Sequence, residues 1–145
     1  METGTGKVQL EILLSAPVEK VWKAWTEPDK IAKWFGSDPN GKVLKAILNV
    51  YPGGSFEVTF KDSNQTEHTA FGMYFVVREF SNLEFNWTWR SEPGVESFVS
   101  LVFKNENNST RMLFKHEHLG KDSQHNYEEG WKATFLKLEQ SLVKS

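Results

Sequence analysis

The densest chemistry in this sequence lies in TRMLFKHEHL, where His116 and His118 stand two apart, on the parity of Met112 and Phe114. Residues two apart on a strand share a face, so both imidazoles are expected to point inward beside those apolar side chains. Two imidazoles at that spacing could hold zinc, which takes at least three protein ligands. The third would have to be His68 or His125, and nothing in the spacing nominates either. The alternative is a hydrogen-bonded pair near the strand end, and no metal or other cofactor is expected. His116 alone reads as a polar group that fixes a ligand's orientation in an otherwise apolar pocket.

Acid–base chemistry needs a donor or acceptor held within reach of an orienting group. Glu57, Glu84, Glu96 and Glu117 all lie in strand-like text. Alternation puts Glu57 and Glu84 opposite the apolar parity, hence in solvent. Glu96 shares its parity with Phe98 and is the carboxylate best placed to point inward. Tyr74, Glu96 and His116 are therefore the acid or base candidates if a reaction is catalysed. The serines lack a nucleophile-elbow context, and no glycine-rich phosphate loop joins a strand to a helix. With no cysteine at all, thiol nucleophiles, disulfides and thiolate metal sites are excluded. These absences favour a binder over an enzyme.

Rings are the other resource. Aromatic residues make up 14% of the chain, with 6 Trp and 11 Phe, yet the mean hydropathy is −0.51. The apolar volume is thus concentrated in large side chains, which fill cores and also line ligand cavities. The expected lining takes Trp34 from the early helices and Phe56, Phe71, Tyr74, Phe85, Trp87, Trp89, Phe98 and His116 from the strands. Trp131, Phe135 and Leu138 complete it from the last helix. The plainer alternative is that these rings pack only with one another.

The elements that must position these groups are legible in the spacing. Residues 123–143 read as one long helix of about 31 Å, with Tyr127, Trp131, Thr134, Phe135, Leu138 and Leu142 on one stripe and Glu128, Lys132, Lys137 and Glu139 in water. Gly130 is expected to let this helix approach the sheet closely, and Phe135 and Leu138 to serve as core and cavity roof at once. Residues 7–14 alternate as a half-buried strand. Pro17 suits the first position of a helix, carrying Val18, Val21, Trp22 and Trp25. Pro28 starts a second one with Ile31, Trp34 and Phe35, ended by Gly36 as a left-handed cap. Six strands follow, at 43–50, 56–60, 66–77, 83–89, 97–103 and 110–118, separated by turn signals such as Tyr51-Pro52-Gly53-Gly54 and the run 105–109. Hairpin spacing makes them an antiparallel meander. The fold class is α+β, a seven-stranded curved sheet wrapped around the C-terminal helix, with residues 1–145 as one domain.

A net charge of −2 offers no basic stripe for phosphates, so nucleic acid is an unsuitable partner. No stretch approaches the roughly 20 apolar residues of a membrane span, and METGTGKVQLEILL lacks the features of a signal peptide. The cytoplasm is the expected location, without membrane insertion.

Several words in this order resemble one family. They are Ala16-Pro17, then VWKAWTEP at residues 21–28, Trp34-Phe35-Gly36, YPGGSF at residues 51–56, Thr110-Arg111 with His116, and Gly130-Trp131 leading to Leu138. Together they resemble the START-like superfamily (SRPBCC, Bet v-like; the helix-grip fold), and within it the activator of Hsp-90 ATPase homologue branch. The resemblance covers the chain from about Val8 to Leu142. The chain departs from the family where an acid, an apolar residue and an arginine commonly precede Pro-Gly-Gly, because Asn49-Val50-Tyr51 stands there instead. The family resemblance implies a mostly bacterial group without an assigned reaction, in a superfamily whose members bind lipids, sterols, hormones and polyketides between sheet and helix. The expectation is therefore a protein that holds a small hydrophobic or aromatic molecule in that cavity. The alternatives are a cavity enzyme of cyclase, aromatase or hydrolase type using His116, Tyr74 or Glu96, and a co-chaperone-like stress-response protein, a partner that the residues themselves do not support.

Overall fold

Alternation of large apolar and small polar side chains fixes which face of each strand is buried, and turn chemistry fixes the length of the strands. The computed structural model describes residues 6–119 and 127–143. The elements run β1 (Gly6–Leu14), α1 (Val18–Thr26), α2 (Pro28–Ile31), β2 (Lys42–Leu48), β3 (Ser55–Lys61), β4 (Glu67–Arg78), β5 (Asn82–Trp89), β6 (Ser97–Glu106), β7 (Ser109–Leu119) and α3 (Tyr127–Val143). The seven strands form one antiparallel sheet in the order β1-β7-β6-β5-β4-β3-β2. β2 to β7 are the expected meander, and β1 returns to pair with β7, Leu10 opposite Phe114.

The turns carry the expected chemistry. Asn107 and Asn108 join β6 to β7 with φ of 49° and 67°, a two-residue type I′ turn whose twist suits paired strands. At the Pro-Gly-Gly word, Gly54 N–H donates to Tyr51 O at 2.8 Å and Gly53 takes φ 88°. A side chain at Gly54 would overlap the Asn49 carbonyl. Tyr74 of β4 exchanges backbone bonds with both glycines, so this turn also sets where Tyr74 sits. The ladders slip at Lys7, between Val43 and Lys45, and between Tyr74 and Val76. Each extra residue bends its strand, and the sheet curves over the helices.

Val58, Leu83, Phe85, Val99, Leu101, Met112 and Phe114 of the concave face meet Val21 and Trp25 of α1 and Phe135, Leu138 and Leu142 of α3. Pro17 lies just before the first residue of α1, one position earlier than expected, while Pro28 holds the first position of α2. The two helices are fastened by Trp34 Nε1–H donating to Ala24 O at 3.0 Å. Two of the family words meet in space, since Thr110 Oγ–H donates to Ala16 O at 2.8 Å in a buried position.

Residues 123–126 of the expected helix lie outside the described residues. Two expectations about α3 need correction. Lys137 is not simply in water, because its half-buried ammonium donates to Gly36 O and Asp38 O at 3.2 and 2.9 Å. Gly130 does not face the sheet: its nearest neighbour across space is Ser37 Cβ, 3.8 Å from where a Cβ would stand. No described helix is long and apolar enough to cross a membrane.

Candidate functional site

The core closes under the C-terminal half of α3 and opens under its N-terminal half. There a cleft of about 580 Å³ lies between α3, residues 35–37, and the ends of β3, β4 and β5. Phe35, Phe60, Trp87, Trp89, Tyr127 and Trp131 supply its rings, and Gly36, Ser37, Gly130, Ala133 and Thr134 its small side chains. Trp87 meets Trp89 at 5.1 Å and Trp131 at 5.4 Å between ring centroids, both edge-on. Trp89 Nε1–H donates to the Tyr127 hydroxyl at 2.9 Å, joining sheet to helix. Gly36 shapes one wall. It takes φ 105°, and a Cβ there would stand 2.9 Å from the Phe60 ring.

The polar lining comes from Asp62, His68 and Glu129 besides Ser37 and Thr134. Asp62 ends the strand run of β3, and the turn after it returns the chain so that His68 stands opposite Phe60 in the ladder. His68 Nε2 lies 2.8 Å from Asp62 Oδ2, and each side chain is 24% exposed. The imidazole also lies against the Phe60 ring at 5.3 Å.

His116 is fully buried behind this lining. Trp131 Nε1–H donates to its Nδ1 at 3.0 Å, which leaves the proton on Nε2 to donate to Ser97 Oγ at 2.7 Å. Ser97 Oγ–H donates in turn to Trp87 O at 3.3 Å. The Trp131 Nε1–H, both His116 nitrogens and the Ser97 hydroxyl are all satisfied with the imidazole neutral. Burial pushes its pKa from 6.5 down to about 3, because a charged ring there would lose its hydration. Both nitrogens are engaged within the protein, so His116 does not present a polar group to a ligand.

The sequence-derived candidates separate into three places. Trp87, Trp89 and Trp131 border the cleft. Phe56, Tyr74 and Phe85 surround only a gap of about 10 Å³, and Trp34, Phe135 and Leu138 are core. For these six the plainer reading holds, since rings such as Phe56, Tyr74 and Phe85 meet one another at 5.1–5.8 Å. Trp25 and Trp87 Nε1–H have no acceptor among the described residues, and both side chains border that gap. Burial also raises the Tyr74 pKa, away from acid–base work at neutral pH. Phe71, Phe98 and Glu96 lie on the convex face. Phe98 lies tilted against Phe75 and edge-on to His118, Arg90 lies over Phe71, and exposed Glu96 accepts from Asn86 Nδ2 at 2.7 Å. The inward parity of β6 belongs to Ser97, Val99, Leu101 and Phe103, so sharing parity with Phe98 sends Glu96 outward.

The paired histidines part for a similar reason. His118 takes φ 65° and is the residue skipped when the β1–β7 register slips between Glu117 and Leu119. The bulge turns Leu119 inward and His118 outward, so the two imidazoles face opposite sides of the sheet. His125, the other possible third ligand, lies outside the described residues. Among the described residues no three His, Asp or Glu side chains group as a metal site would.

Asp62 and Glu129 were not singled out in the sequence as site residues, and His68 only as a metal ligand. The available signal was the hairpin turn at 62–65, whose register carries residue 68 back beside residue 60.

A curved antiparallel sheet closed over a C-terminal helix, with a short helical pair after its first strand, is the helix-grip architecture of START-like proteins. Residues 15–142 match the Activator of Hsp90 ATPase homolog 1-like protein family, and the chain belongs to it. A Nitrosomonas europaea protein of solved structure is 23% identical at a TM-score of 0.80, over 95% of this chain and 94% of its own. A family protein from Silicibacter pomeroyi is 21% identical at 0.83, over 96% and 99%. A protein of the dynemicin biosynthetic locus is 22% identical at 0.76, over 94% of this chain and 47% of its own. At these identities the likeness is one of fold. No curated protein matches the chain.

Proposed function

We propose that the protein is a cytoplasmic binder of a small hydrophobic or aromatic molecule, held between the sheet and the N-terminal half of α3. The observation that carries this reading is the open cleft of about 580 Å³ lined by six aromatic side chains. Ligand pockets commonly measure about 300–1,000 Å³, with mostly apolar walls and a few polar groups. The Trp89 and Tyr127 rings are only half-buried, whereas Trp34 and Phe114, which serve the core, are covered. Trp87, Trp89 and Trp131 are the residues on which an occupant would rest.

A thermal-shift panel of aromatic and lipid-like molecules tests this, since a ligand of the folded state raises the melting temperature by mass action. Ala133→Trp is the matched control: it fills the cleft from the helix side without touching the core. A compound that stabilises the native protein and the variant equally does not bind in the cleft, and a panel without any stabilising compound counts against the reading.

A second reading, acid–base chemistry in the same cleft, is favoured by the 2.8 Å contact between Asp62 and His68. It replaces Tyr74, Glu96 and His116 with that pair. Turnover that survives both Asp62→Asn and His68→Gln would dismiss it.

A further inference from the structure

We propose that the cleft selects an organic cation, a protonated or quaternary amine carried on an aromatic or alicyclic body. The inference rests on the reading of the cleft as a binding site and names the chemical class of its occupant. Two independent features of the lining support it.

The first is charge. Among the described residues, the lining contains the carboxylates of Asp62 and Glu129 and neither a lysine nor an arginine. Lys137 directs its ammonium to Gly36 O and Asp38 O of the wall behind, and its charge also interacts with Asp62. Arg90 is engaged on the convex face, paired with Glu57 at 3.2 Å. Lys20, Lys23, Lys30 and Lys33, with one carboxylate, Glu27, line a separate groove beside Ser141 and Leu142, some 16 Å further along α3 than Gly130 at the helical rise. A cation is therefore drawn to the described lining of the cleft rather than to the groove.

The second feature is the rings. Trp87 is edge-on to both Trp89 and Trp131, and Phe35 lies 5.8 Å from Trp87 and 5.6 Å from Phe60. In an edge-on pair the edge of one ring meets the face of the other, and the half-buried Trp89 and Tyr127 are the lining rings with the most surface left for an occupant. The negative face of an indole attracts a cation lying within about 6 Å, most strongly where water is excluded. An aromatic enclosure with a carboxylate at its rim is what an ammonium needs to be desolvated without being left unpaired. The rings take the body of the ligand and its charge together. The His68 imidazole, against Asp62, fixes the direction of that carboxylate.

The N-terminal end of α3 is the one element that opposes this, because a helix start favours anions. Glu128 and Glu129 already occupy its first turn, so the preference is met within the protein.

The test uses three probes with one body: 2-(1-naphthyl)ethylamine, 2-(1-naphthyl)ethanol and 3-(1-naphthyl)propionate, titrated calorimetrically at pH 8 and low salt. The amine is expected to bind about tenfold or more tighter than the alcohol, with the carboxylate weakest. The margin should shrink as salt is raised. Asp62→Asn and Glu129→Gln should each lower amine affinity several-fold and leave the alcohol unchanged. Glu129→Gln lies on an exposed helix position and keeps the test valid if Asp62→Asn disturbs its turn. Equal binding of amine and alcohol, or equal losses of both in the variants, overturns the cation inference while the cleft remains a binding site. Tightest binding by the carboxylate overturns it too. Failure of all three probes overturns it along with the reading of the cleft.

Discussion

A buried neutral histidine makes folding pH-dependent, and His116 allows the effect to be worked out. Its folded pKa is pushed from 6.5 to about 3 by burial. In the unfolded chain the same imidazole takes up a proton near its ordinary value. Between those two values the unfolded state binds more protons than the folded one, so stability rises with pH there and falls as pH is lowered. The stabilisation is fully present above pH 6.5 and is lost progressively towards pH 3. At pH 5 the unfolded state has gained RT ln(1 + 10^1.5), about 2 kcal/mol, and the limit near pH 3 is about 5 kcal/mol. For a chain of this length, a loss of about 2 kcal/mol lowers the melting temperature by about 6–8 °C. Urea unfolding of native protein and His116→Gln, each at pH 7.5 and pH 5, isolates the term. The variant keeps a carbonyl to accept from Trp131 and an amide to donate to Ser97, but cannot titrate. Other groups, including Asp38, Glu57 and Glu106 with lowered pKa values, are common to both proteins and cancel in the comparison. The native protein should lose about 2 kcal/mol more than the variant over that interval. Parallel losses in the two proteins would refute the assignment of a neutral, desolvated imidazole.

Gly130→Ala should stabilise the protein by about 0.5–1 kcal/mol, because a mid-helix glycine is entropically costly and the added methyl meets only Ser37 Cβ at an ordinary 3.8 Å; a lower melting temperature would contradict this. Gly36→Ala should cost more than about 2 kcal/mol in urea unfolding, since a left-handed φ of 105° is strained for alanine and its methyl would press on Phe60. Lys137→Met should cost about 1 kcal/mol by removing two bonds from a half-buried ammonium. In that variant, amide exchange at residues 36–40 should quicken relative to the β6–β7 ladder, and unchanged protection there would show that the lysine does not hold the cleft wall.

The sequence was most informative where one local rule decides the outcome. Period-two alternation, Pro-Gly-Gly and the Asn-rich turn each depend on a few neighbouring residues, and the sheet, α1 and the stripe of α3 lie where these cues put them, whereas α2 ends at Ile31, short of the expected Trp34 and Phe35. The site was less legible because its location depends on parity after irregularities. One bulge at His118 turns that residue outward and Leu119 inward, and parity alone does not say which side of β6 is concave. That is why Phe98 and Glu96 were read inward although Ser97 and Val99 are. The cleft also depends on how far each ring reaches. Phe56 and Phe60 share a face of β3, yet Phe56 borders the filled interior and Phe60 the opening. No spacing rule separates them.

The division of labour along α3 explains why a polar network lies inside so aromatic a core. Phe135, Leu138 and Leu142 are buried and serve the core, whereas Tyr127, Gly130, Ala133 and Thr134 face the cleft. Thr134 and, among the rings of α3, Trp131 belong to both, buried at 4% and 5% exposure and yet part of the lining. A ring in that position, held by packing alone, would have neighbours on one side and open space on the other. The bond from Trp131 to His116, and on through Ser97 to the Trp87 carbonyl, ties two cleft-lining tryptophans together from behind, across α3, β7, β6 and β5. Hydrophobic replacements could match such a network in stability, but a satisfied one confers a fixed orientation. The burial that fixes the rings is also what keeps His116 neutral, so the geometry of the cleft and the acid sensitivity of the fold have a common cause.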